Sequence, residues 1–318
     1  MALWVRTVNV DDPPTRRRVV LRLRPRLVVA AVLLLIVVNL LFVEAYANAR
    51  FTPDQRRGAV GDQRDVPAAL LSGGPVVRAD AHGGAAHEMP ARTIALTFDD
   101  GPDPRWTPEV LAVLRRHGVP ATFFVIGSQV ARHPNLARRM VADRHELGVH
   151  TFTHPNLQRI APWRRKLEYS QTQMAIARAA GVKTALLRFP YSSKPSAVDE
   201  TNWQLAKDAG ELGYLVVLND TDSQDWARPG VPQIVRNATP AGDSPAVILF
   251  HDAGGDRTQT IEALRAFIPA MKARGYRFTT VSEGLNMGIT QQAGTEESGT
   301  EESGTQESGT RTGTGATP

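Results

Sequence analysis

The chain has 318 residues, a formal net charge of +5 and no cysteine. Disulfides and thiolate metal sites are therefore excluded, and any metal ion would have only oxygen and nitrogen ligands. The length suits one domain of about 200 residues with flanking segments. The positive net charge comes partly from an N-terminal arginine cluster, and the chain shows no nucleic-acid-binding motif, so no nucleic-acid partner is expected.

An arginine-rich tail over residues 1–26 precedes an apolar run, residues 27–43, that contains no charge. As a helix this run would be about 25 Å long, slightly short of the hydrocarbon thickness of a bilayer. We predict one transmembrane signal-anchor over residues 27–45, with a cytoplasmic N-terminus and an extracytoplasmic domain at the cell membrane. A signal peptide cleaved near Ala47, which would release a secreted protein, is the alternative. A buried core helix is disfavoured because the run has no polar face.

Two segments of biased composition flank the predicted domain. Residues 46–91 mix Gly, Pro, Ala, Asp and Arg with little periodicity, which predicts an extracytoplasmic linker. His82 and His87 lie in this linker among Gly and Ala, where we expect no metal-binding role. Residues 289–318 contain an acidic repeat, GTEES, with too few apolar residues to form a core, so this tail is predicted to be disordered.

Between these segments, residues 92–288 alternate between strand and helix patterns. Strands are predicted over 94–98, 121–126, 147–150, 184–189, 214–218, 246–250 and 276–281, and helices over 108–117, 134–144, 163–180, 202–212, 232–238 and 258–274. This alternation predicts an α/β domain with parallel strands and right-handed crossovers. Because polar residues follow several strand ends, their convergence on one rim favours a barrel over an open doubly wound sheet.

Two adjacent carboxylates, Asp99 and Asp100, end the first strand of this domain, and Gly101 stops it. Further along, His150 and His154 are four residues apart, a spacing that brings two imidazoles to one side of a turn. One carboxylate and two histidines form a set of three ligands that leaves a position on a metal ion open. We therefore expect one of the two aspartates, Asp99 or Asp100, to bind a metal ion with His150 and His154, and the other to act on metal-bound water. A helix-capping aspartate and two surface histidines are the structural alternative.

Arg188 and His251 lie within or directly after apolar runs. An arginine in such a run needs a partner, and Arg188 could hold Asp99 through a bidentate contact. His251 emerges from the predicted strand 246–250, at the rim where a histidine can act as a general acid. A buried structural histidine is the alternative for this position.

Five short motifs, in this order, resemble those of the polysaccharide deacetylases of the NodB-homology type, carbohydrate esterase family four. They are TFDDG (residues 97–101), HTFTH (150–154), RFPY (188–191), DSQDW (222–226) and LFH (249–251), and the resemblance covers roughly residues 92–285. It implies a distorted (β/α)7–8 barrel of the NodB type. It also implies a metal-dependent hydrolase that removes acetyl groups from N-acetylated amino sugars.

The resemblance implies that Asp100, His150 and His154 hold the metal ion, that Asp99 is the general base for the attacking water and that His251 is the general acid that protonates the leaving amine. It also implies roles for further residues in these motifs. Asp225, directly before Trp226, would bind one ring nitrogen of His251 and favour the imidazolium form. The backbone N–H of Tyr191 would stabilise the oxyanion of the tetrahedral intermediate. Leu249 would line a small pocket for the acetyl methyl group, and Trp226 would pack beside the site.

One divalent metal ion is expected, most naturally zinc, with cobalt, nickel or manganese as alternatives. The expected partners are an N-acetylated glycan (peptidoglycan or another N-acetylglucosamine polymer) and the membrane through the N-terminal helix, without an obligate protein partner. Ser192 and Phe250 depart from the residues common in relatives, which bears on groove shape. The alternatives are a non-catalytic glycan-binding barrel and a related barrel hydrolase that acts on a non-acetyl amide.

Overall fold

A computed structural model of the protein describes residues 29–39, 62–191, 194–286 and 291–293. The chain divides into two compact units, Met1–Arg57 and Gly58–Pro318. The predicted cytoplasmic tail, the alternative cleavage site near Ala47, Ser192 and most of the acidic repeat tail lie outside the described residues.

Helix α1 covers residues 29–39 of the first unit, and its residues are exposed. Among the described residues, no helix combines the length and the apolar character that crossing a membrane requires. The transmembrane helix predicted over residues 27–45 is therefore not supported, and its residues on either side of α1 lie outside the described ranges.

The second unit alternates strands and helices along most of its length. Its strands are β1 (Val76–Asp80), β2 (Gly83–His87), β3 (Thr93–Asp99), β4 (Thr122–Val125), β5 (Glu146–Val149), β6 (Val182–Thr184), β7 (Leu186–Leu187), β8 (Leu215–Val217), β9 (Thr221–Asp222), β10 (Ala246–His251), β11 (Arg277–Thr279) and β12 (Gln291–Ala293). Its helices are α2 (Ala68–Ser72), α3 (Trp106–His117), α4 (Gly127–Arg132), α5 (Pro134–Ala142), α6 (Pro162–Ala180), α7 (Glu200–Gly210), α8 (Val231–Ala238), α9 (Thr258–Ala273) and α10 (Val281–Gly284). Short 3-10 helices cover Leu157–Arg159, Pro195–Ala197 and Asp225–Ala227.

These elements follow the sequence pattern closely. Every residue of β3 is buried, which is typical of a strand covered on both faces of a parallel sheet. Helices α3 and α6 end at Gly118 and Gly181, whose positive φ angles of 59° and 68° form left-handed caps. The predicted strand 184–189 is interrupted between β6 and β7, and the predicted strand 276–281 stops before α10.

The ten-stranded sheet has the order β2-β1-β8-β7-β5-β4-β3-β10-β9, and β11 also pairs with β3. From β8 to β9 along this order, neighbouring strands are parallel. Although β8 and β9 lie at opposite ends of this parallel run, residues 218–220 alone join them in the chain. Such a short connection spans at most about 15 Å, so the sheet must curl until its two ends approach each other.

The result is a curled half-barrel, which is the form that the distorted (β/α)7–8 barrel implied by the resemblance takes in this chain. Among the described residues, the outer edge of β8 pairs with the antiparallel strand β1, with Val76 opposite Val217, and not with β9. The predicted α/β class and parallel strands are present. The carboxyl ends of β3, β5, β7 and β10 therefore face one rim, as the barrel prediction requires.

Residues 62–91 do not form the irregular linker expected from the sequence. The β1–β2 hairpin extends the sheet at β8, helix α2 contacts β2, and Leu70 and Val77 are buried. Gly84 lies so close to Trp203 that a methyl group at this glycine would be 2.6 Å from the indole ring. Strand β2 consists largely of glycine and alanine, which give a weak periodic signal, so its role depends on tertiary pairing. The compact unit consequently begins upstream of the predicted domain boundary at residue 92.

Side chains of strand β10 alternate between the hydrophobic core on one face and the inside of the curled sheet on the other. Phe250 is fully buried, and its ring centroid lies 5.9 Å from that of Phe98 and 6.3 Å from that of Phe267. Its neighbours Leu249 and His251 face the opposite side of the strand. Phe250 therefore belongs to the hydrophobic core, and its departure from the family pattern affects packing and not the substrate groove.

Candidate active site

Asp99 and Asp100 enter different environments because the strand ends between them. Asp99 is the last residue of β3 and is 4% exposed, whereas Asp100 has a positive φ of 77° and begins the following turn. Gly101 continues this turn against the carboxyl group of buried Asp252, where a methyl group would overlap at 2.3 Å. The adjacent carboxylates can therefore perform different tasks.

The predicted ligands Asp100, His150 and His154 lie together at the rim. Their ligand atoms all lie within 4.8 Å of one another. Asp100 Oδ1 is 3.6 Å from His150 Nε2 and 3.2 Å from His154 Nε2. His150 Nδ1 lies 2.9 Å from the carbonyl oxygen of Arg188, which can only accept, so Nδ1 carries the proton and Nε2 presents a lone pair.

This donor set fits a divalent ion such as zinc. One carboxylate oxygen and two imidazole nitrogens are ligands that zinc accepts, and three protein ligands leave a position for substrate or water. Burial, reinforced by the neighbouring His154, lowers the pKa of His150 to about 3, against the opposing charge of Asp100. His150 is therefore neutral at physiological pH, as a metal ligand must be.

Glu168 on α6 holds the loop that carries the two histidines, and sequence reasoning missed it. This carboxylate is 4% exposed and accepts the backbone N–H groups of Phe152 and Thr153 at 2.8 and 2.7 Å. The Thr153 hydroxyl also donates to it at 2.7 Å. The Thr151 hydroxyl accepts the backbone N–H of His154 at 3.0 Å, which also shapes this loop. A glutamate on the inward face of a predicted helix was the signal that could have identified this residue.

Arg188 lies fully buried inside the curled sheet and holds Asp99. Its Nη1 donates to Asp99 Oδ1 at 2.9 Å and to Thr97 Oγ1 at 2.7 Å, so the contact with Asp99 is single and not the expected bidentate one. Its Nε and Nη2 donate to the carbonyl oxygens of Val217 and Leu218, at 3.1 and 3.0 Å. Burial raises the pKa of Asp99, although the charges of Arg188 and others oppose this.

His251 and Asp225 form a second buried pair at the rim. His251 Nδ1 lies 2.8 Å from Asp225 Oδ1, and since the carboxylate accepts, Nδ1 is the donor. Asp225 Oδ2 accepts the backbone N–H of His251 at 3.0 Å and the hydroxyl of Thr260 at 2.7 Å. Burial alone would lower the pKa of His251, but the charge and hydrogen bond of Asp225 raise it to about 9. The pair is therefore charged at neutral pH.

The remaining predicted residues lie near these groups or beside them in the chain. The Tyr191 ring centroid is 5.0 Å from that of His154, and Tyr191 is 41% exposed with a positive φ of 62°. Trp226 lies in the 3-10 helix that begins with Asp225 and is 37% exposed. Leu249 is 6% exposed on β10.

Asp222, His82 and His87 do not join the metal-ligand cluster. Asp222 accepts the backbone N–H of Gln224 at 2.8 Å, which is a turn-capping role. His82 and His87 flank and end β2 at the edge of the sheet. Within the described ranges, the histidine and acidic side chains close enough to share an ion are the three predicted ligands.

The chain is similar in sequence to known proteins of one family. A family model described as polysaccharide deacetylase matches residues 86–214. A peptidoglycan-N-acetylglucosamine deacetylase of Bacillus cereus is 41% identical over 194 residues, which are 60% of this chain and 87% of that protein. A chitooligosaccharide deacetylase of a Bradyrhizobium species is 41% identical over 197 residues, which are 58% of this chain and 87% of that protein.

The fold is also similar to a solved structure. A peptidoglycan N-acetylglucosamine deacetylase crystallised with 4-naphthalen-1-yl-N-oxidanyl-benzamide superposes with a TM-score of 0.57 and 31% sequence identity. The similarity covers 63% of this chain and 91% of that one. It therefore extends over most of the second unit.

Proposed function

Because this chain belongs to the polysaccharide deacetylase family, we propose that it is a metal-dependent hydrolase that removes N-acetyl groups from an extracytoplasmic polymer of amino sugars. The observation that carries the proposal is the cluster of Asp100, His150 and His154 beside Asp99. His251 stands opposite Asp99 in the β3–β10 register. A ligand set, a base and an acid thus share one rim of the sheet.

The substrate class follows from the relatives. One is named for peptidoglycan N-acetylglucosamine and the other for chitooligosaccharides, at the same sequence identity. We infer a glycan of N-acetylated amino sugars, and peptidoglycan is favoured because the N-terminal sequence predicts export. A non-catalytic glycan-binding barrel is disfavoured, since the base, the acid and all three ligands are in place.

Asp99 is the general base in this proposal. When bound by Asp100, His150 and His154, a divalent ion supplies a Lewis acid that polarises an amide carbonyl and acidifies water. Arg188 occupies Asp99 Oδ1, whereas Asp99 Oδ2 lies 3.8 Å from His150 Nε2 on the ligand side. Asp99 therefore takes the proton of the attacking water at Oδ2.

His251 is the general acid. Its Nδ1 is bound to Asp225, so the proton that reaches the leaving amine comes from Nε2. Because its pKa is about 9, His251 begins the reaction protonated at neutral pH. The acid thus starts charged while the base on the neighbouring strand is available to accept a proton.

Tyr191 and Leu249 position the acetyl group. We assign the backbone N–H of Tyr191 to the developing oxyanion and Leu249 to the acetyl methyl group. The left-handed φ of 62° at Tyr191 supports this role, since a bulky residue in that region costs about 1–3 kcal/mol and such residues cluster at functional sites.

Acetate release by the full chain tests the proposal. The full chain is needed because the β1–β2 hairpin is part of the sheet, so a shorter protein starting at residue 93 would lack it. Purified peptidoglycan and N-acetylated chitooligosaccharides are the substrates, with and without chelator, beside Asp99→Asn. We expect chelator-sensitive release that Asp99→Asn reduces about 10²–10⁴-fold. Metal binding without release from either glycan would contradict the proposal and favour a non-acetyl amide, and neither metal binding nor release would favour a glycan-binding barrel.

We also propose that the domain acts outside the cytoplasm and is held at the cell membrane by residues 27–45. The support lies in the sequence, where arginines precede an uncharged apolar run. Cell fractionation with a C-terminal tag tests this, and we expect a membrane fraction resistant to alkaline extraction. Recovery from the medium with a new N-terminus near residue 47 would instead show a cleaved signal peptide.

A further inference from the structure

Arg257 is a buried arginine outside the five motifs, directly before α9. Its side chain is 5% exposed, and its Nη2 donates to the carbonyl oxygen of Gly254 at 2.8 Å. Among the described residues, its Nε and Nη1 have no hydrogen-bond partner. A guanidinium buried with unpaired N–H groups needs nearby negative charge to offset the loss of solvent. Its position is therefore to be explained by charge.

Asp225 supplies such a charge on one side of Arg257. Its Oδ2 lies 3.9 Å from Arg257 Nη1, beyond hydrogen-bond distance. That oxygen already accepts the Thr260 hydroxyl and the backbone N–H of His251. Arg257 thus acts on Asp225 through charge, which is screened little between two buried groups. This charge favours the ionised carboxylate that holds the His251 ring.

Gly254 connects Arg257 to the metal-ligand side. Gly254 has a positive φ of 76°, and a methyl group at this position would lie 3.0 Å from Asp100 Oδ2. The backbone of Gly254 thus abuts the carboxylate of a predicted metal ligand. The hydrogen bond from Arg257 Nη2 fixes the carbonyl of this same residue. Arg257 therefore lies between the two parts of the site. It faces Asp225, which holds His251, and it is hydrogen-bonded to Gly254, which lies beside Asp100.

We propose that Arg257 is a positioning residue that joins the acid pair, His251 and Asp225, to the loop that packs beside Asp100. Its charge sets the protonation of the acid pair, and its hydrogen bond to Gly254 fixes the loop beside the metal ligand. The inference rests on the proposed function, but its two consequences are measurable without turnover.

The charges around the acid pair determine the direction of the first effect. Asp225, Asp100 and Asp99 favour the protonated form of His251, and Arg257 is a cation facing Asp225. Removing a positive charge from this group favours the imidazolium, so the titration midpoint of His251 moves to higher pH. Replacing arginine by lysine keeps the charge but loses the planar donor that reaches Gly254.

Three variants of the full chain separate charge from loop support. Arg257→Met removes both, and Arg257→Lys keeps the charge alone. Arg265→Met is the matched control, because Arg265 lies on α9 and is half exposed. The measurements are the NMR titration of the His251 ring in zinc-loaded protein, zinc affinity of apo-protein by chelator competition, and kcat and KM for acetate release from chitooligosaccharides.

In Arg257→Met we expect the His251 midpoint at higher pH, zinc affinity about 10-fold to 100-fold weaker, and kcat reduced with little change in KM. In Arg257→Lys we expect the midpoint near that of the natural chain but zinc affinity still weakened. Arg265→Met should match the natural chain in all three measurements.

An unchanged midpoint and unchanged zinc affinity in folded Arg257→Met would overturn the inference. If Arg257→Met does not fold, Arg257→Lys decides, because zinc affinity equal to that of the natural chain would remove the loop role. If the natural chain releases no acetate from any glycan while both physical effects are present, the proposed function fails and the positioning role of Arg257 stands.

Discussion

Asp99 and His251 occupy opposite positions in the register of the parallel strands β3 and β10, and each is the last residue of its strand. The proposed base and the proposed acid thus lie side by side at one rim. Their partners differ, because Arg188 holds Asp99 from inside the sheet while Asp225 holds His251 from the loop after β9. This separation gives neighbouring side chains opposite roles.

The acid pair predicts a basic limit to activity. His251 is protonated below its pKa of about 9, so kcat/KM should fall as pH rises through about 9. Replacing Asp225 with asparagine removes the charge that raises this pKa while burial remains, so Asp225→Asn should move the limit to lower pH. Asp222→Asn, at the end of β9 three residues before Asp225, is the control. A basic limit that Asp225→Asn leaves in place would mean that another group is the acid.

The same pair predicts how stability depends on pH. The folded-state pKa of His251 lies above its ordinary value of 6.5, so the stabilisation from this pair is complete below that value and is lost as pH rises through about 9. Denaturant titration of the natural chain and of Asp225→Asn at pH 6 and pH 10 measures this. We expect the difference between the two proteins to be larger at pH 6. An equal difference at both values would contradict the assignment.

Glu168 predicts an effect on the metal site from outside it. Glu168→Ala leaves two backbone N–H groups of the histidine loop without their acceptor, so the loop should loosen. Zinc affinity measured by chelator competition should fall about 10-fold to 100-fold. Glu211→Ala, at an exposed position, is the control. Equal zinc affinity in the two variants would show that the loop keeps its shape without Glu168.

Because Arg188 holds the proposed base Asp99, we expect substitution of Arg188 to lower kcat by displacing Asp99. Lysine keeps the charge but cannot make the four hydrogen bonds that fix Arg188 between Thr97, Asp99, Val217 and Leu218. Arg188→Lys should lower kcat about 10²-fold with a smaller change in KM. Arg178→Lys, on the exposed face of α6, should leave both constants unchanged. Full activity in Arg188→Lys would show that Asp99 keeps its catalytic position without the hydrogen bonds of Arg188.

Because Leu70 is buried in the main core, we predict that residues 62–91 belong to the folded domain. Leu70 is 2% exposed and part of the main core, so Leu70→Ala should lower the free energy of unfolding by about 2–5 kcal/mol. Leu212→Ala, at a residue 44% exposed, should change it by less than about 1 kcal/mol. Urea denaturation of the full chain measures both. If Leu70→Ala and Leu212→Ala lowered the free energy of unfolding equally, residues 62–91 would be a linker and not part of the folded domain.

Sequence reasoning predicted the elements that carry the site because their signals are local. The apolar run before Asp99 and Asp100, the i, i+4 spacing of His150 and His154, and the strand before His251 each lie within a few residues. Parallel strands place such ends at one rim, so the grouping of these residues followed from alternation of strand and helix.

The residues that sequence reasoning missed act across long separations. Glu168 reaches back to Thr153, Thr260 reaches Asp225, and Arg257 lies beside the same carboxylate. The inward-facing position of Glu168 on its helix is a local signal, but no local pattern shows which loop the side chains of Glu168, Thr260 and Arg257 contact. Their roles depend on which loop the folded chain brings against each helix.

By itself, the sequence determined the class of the fold, the alternation of strands and helices after residue 92, and the residues at the strand ends, because burial patterns and turn residues act over short distances. Tertiary structure alone decided that the sheet stays open, that β1 and β2 extend it, and how Arg188 reaches across it. Those outcomes depend on pairing with β8, whose edge binds β1 at Val217 while the same residue's carbonyl accepts from Arg188. These contacts join segments that are far apart in the sequence, so no local periodicity predicts them. Strand β1 and the side chain of Arg188 become buried and hydrogen-bonded only when β8 lies beside them.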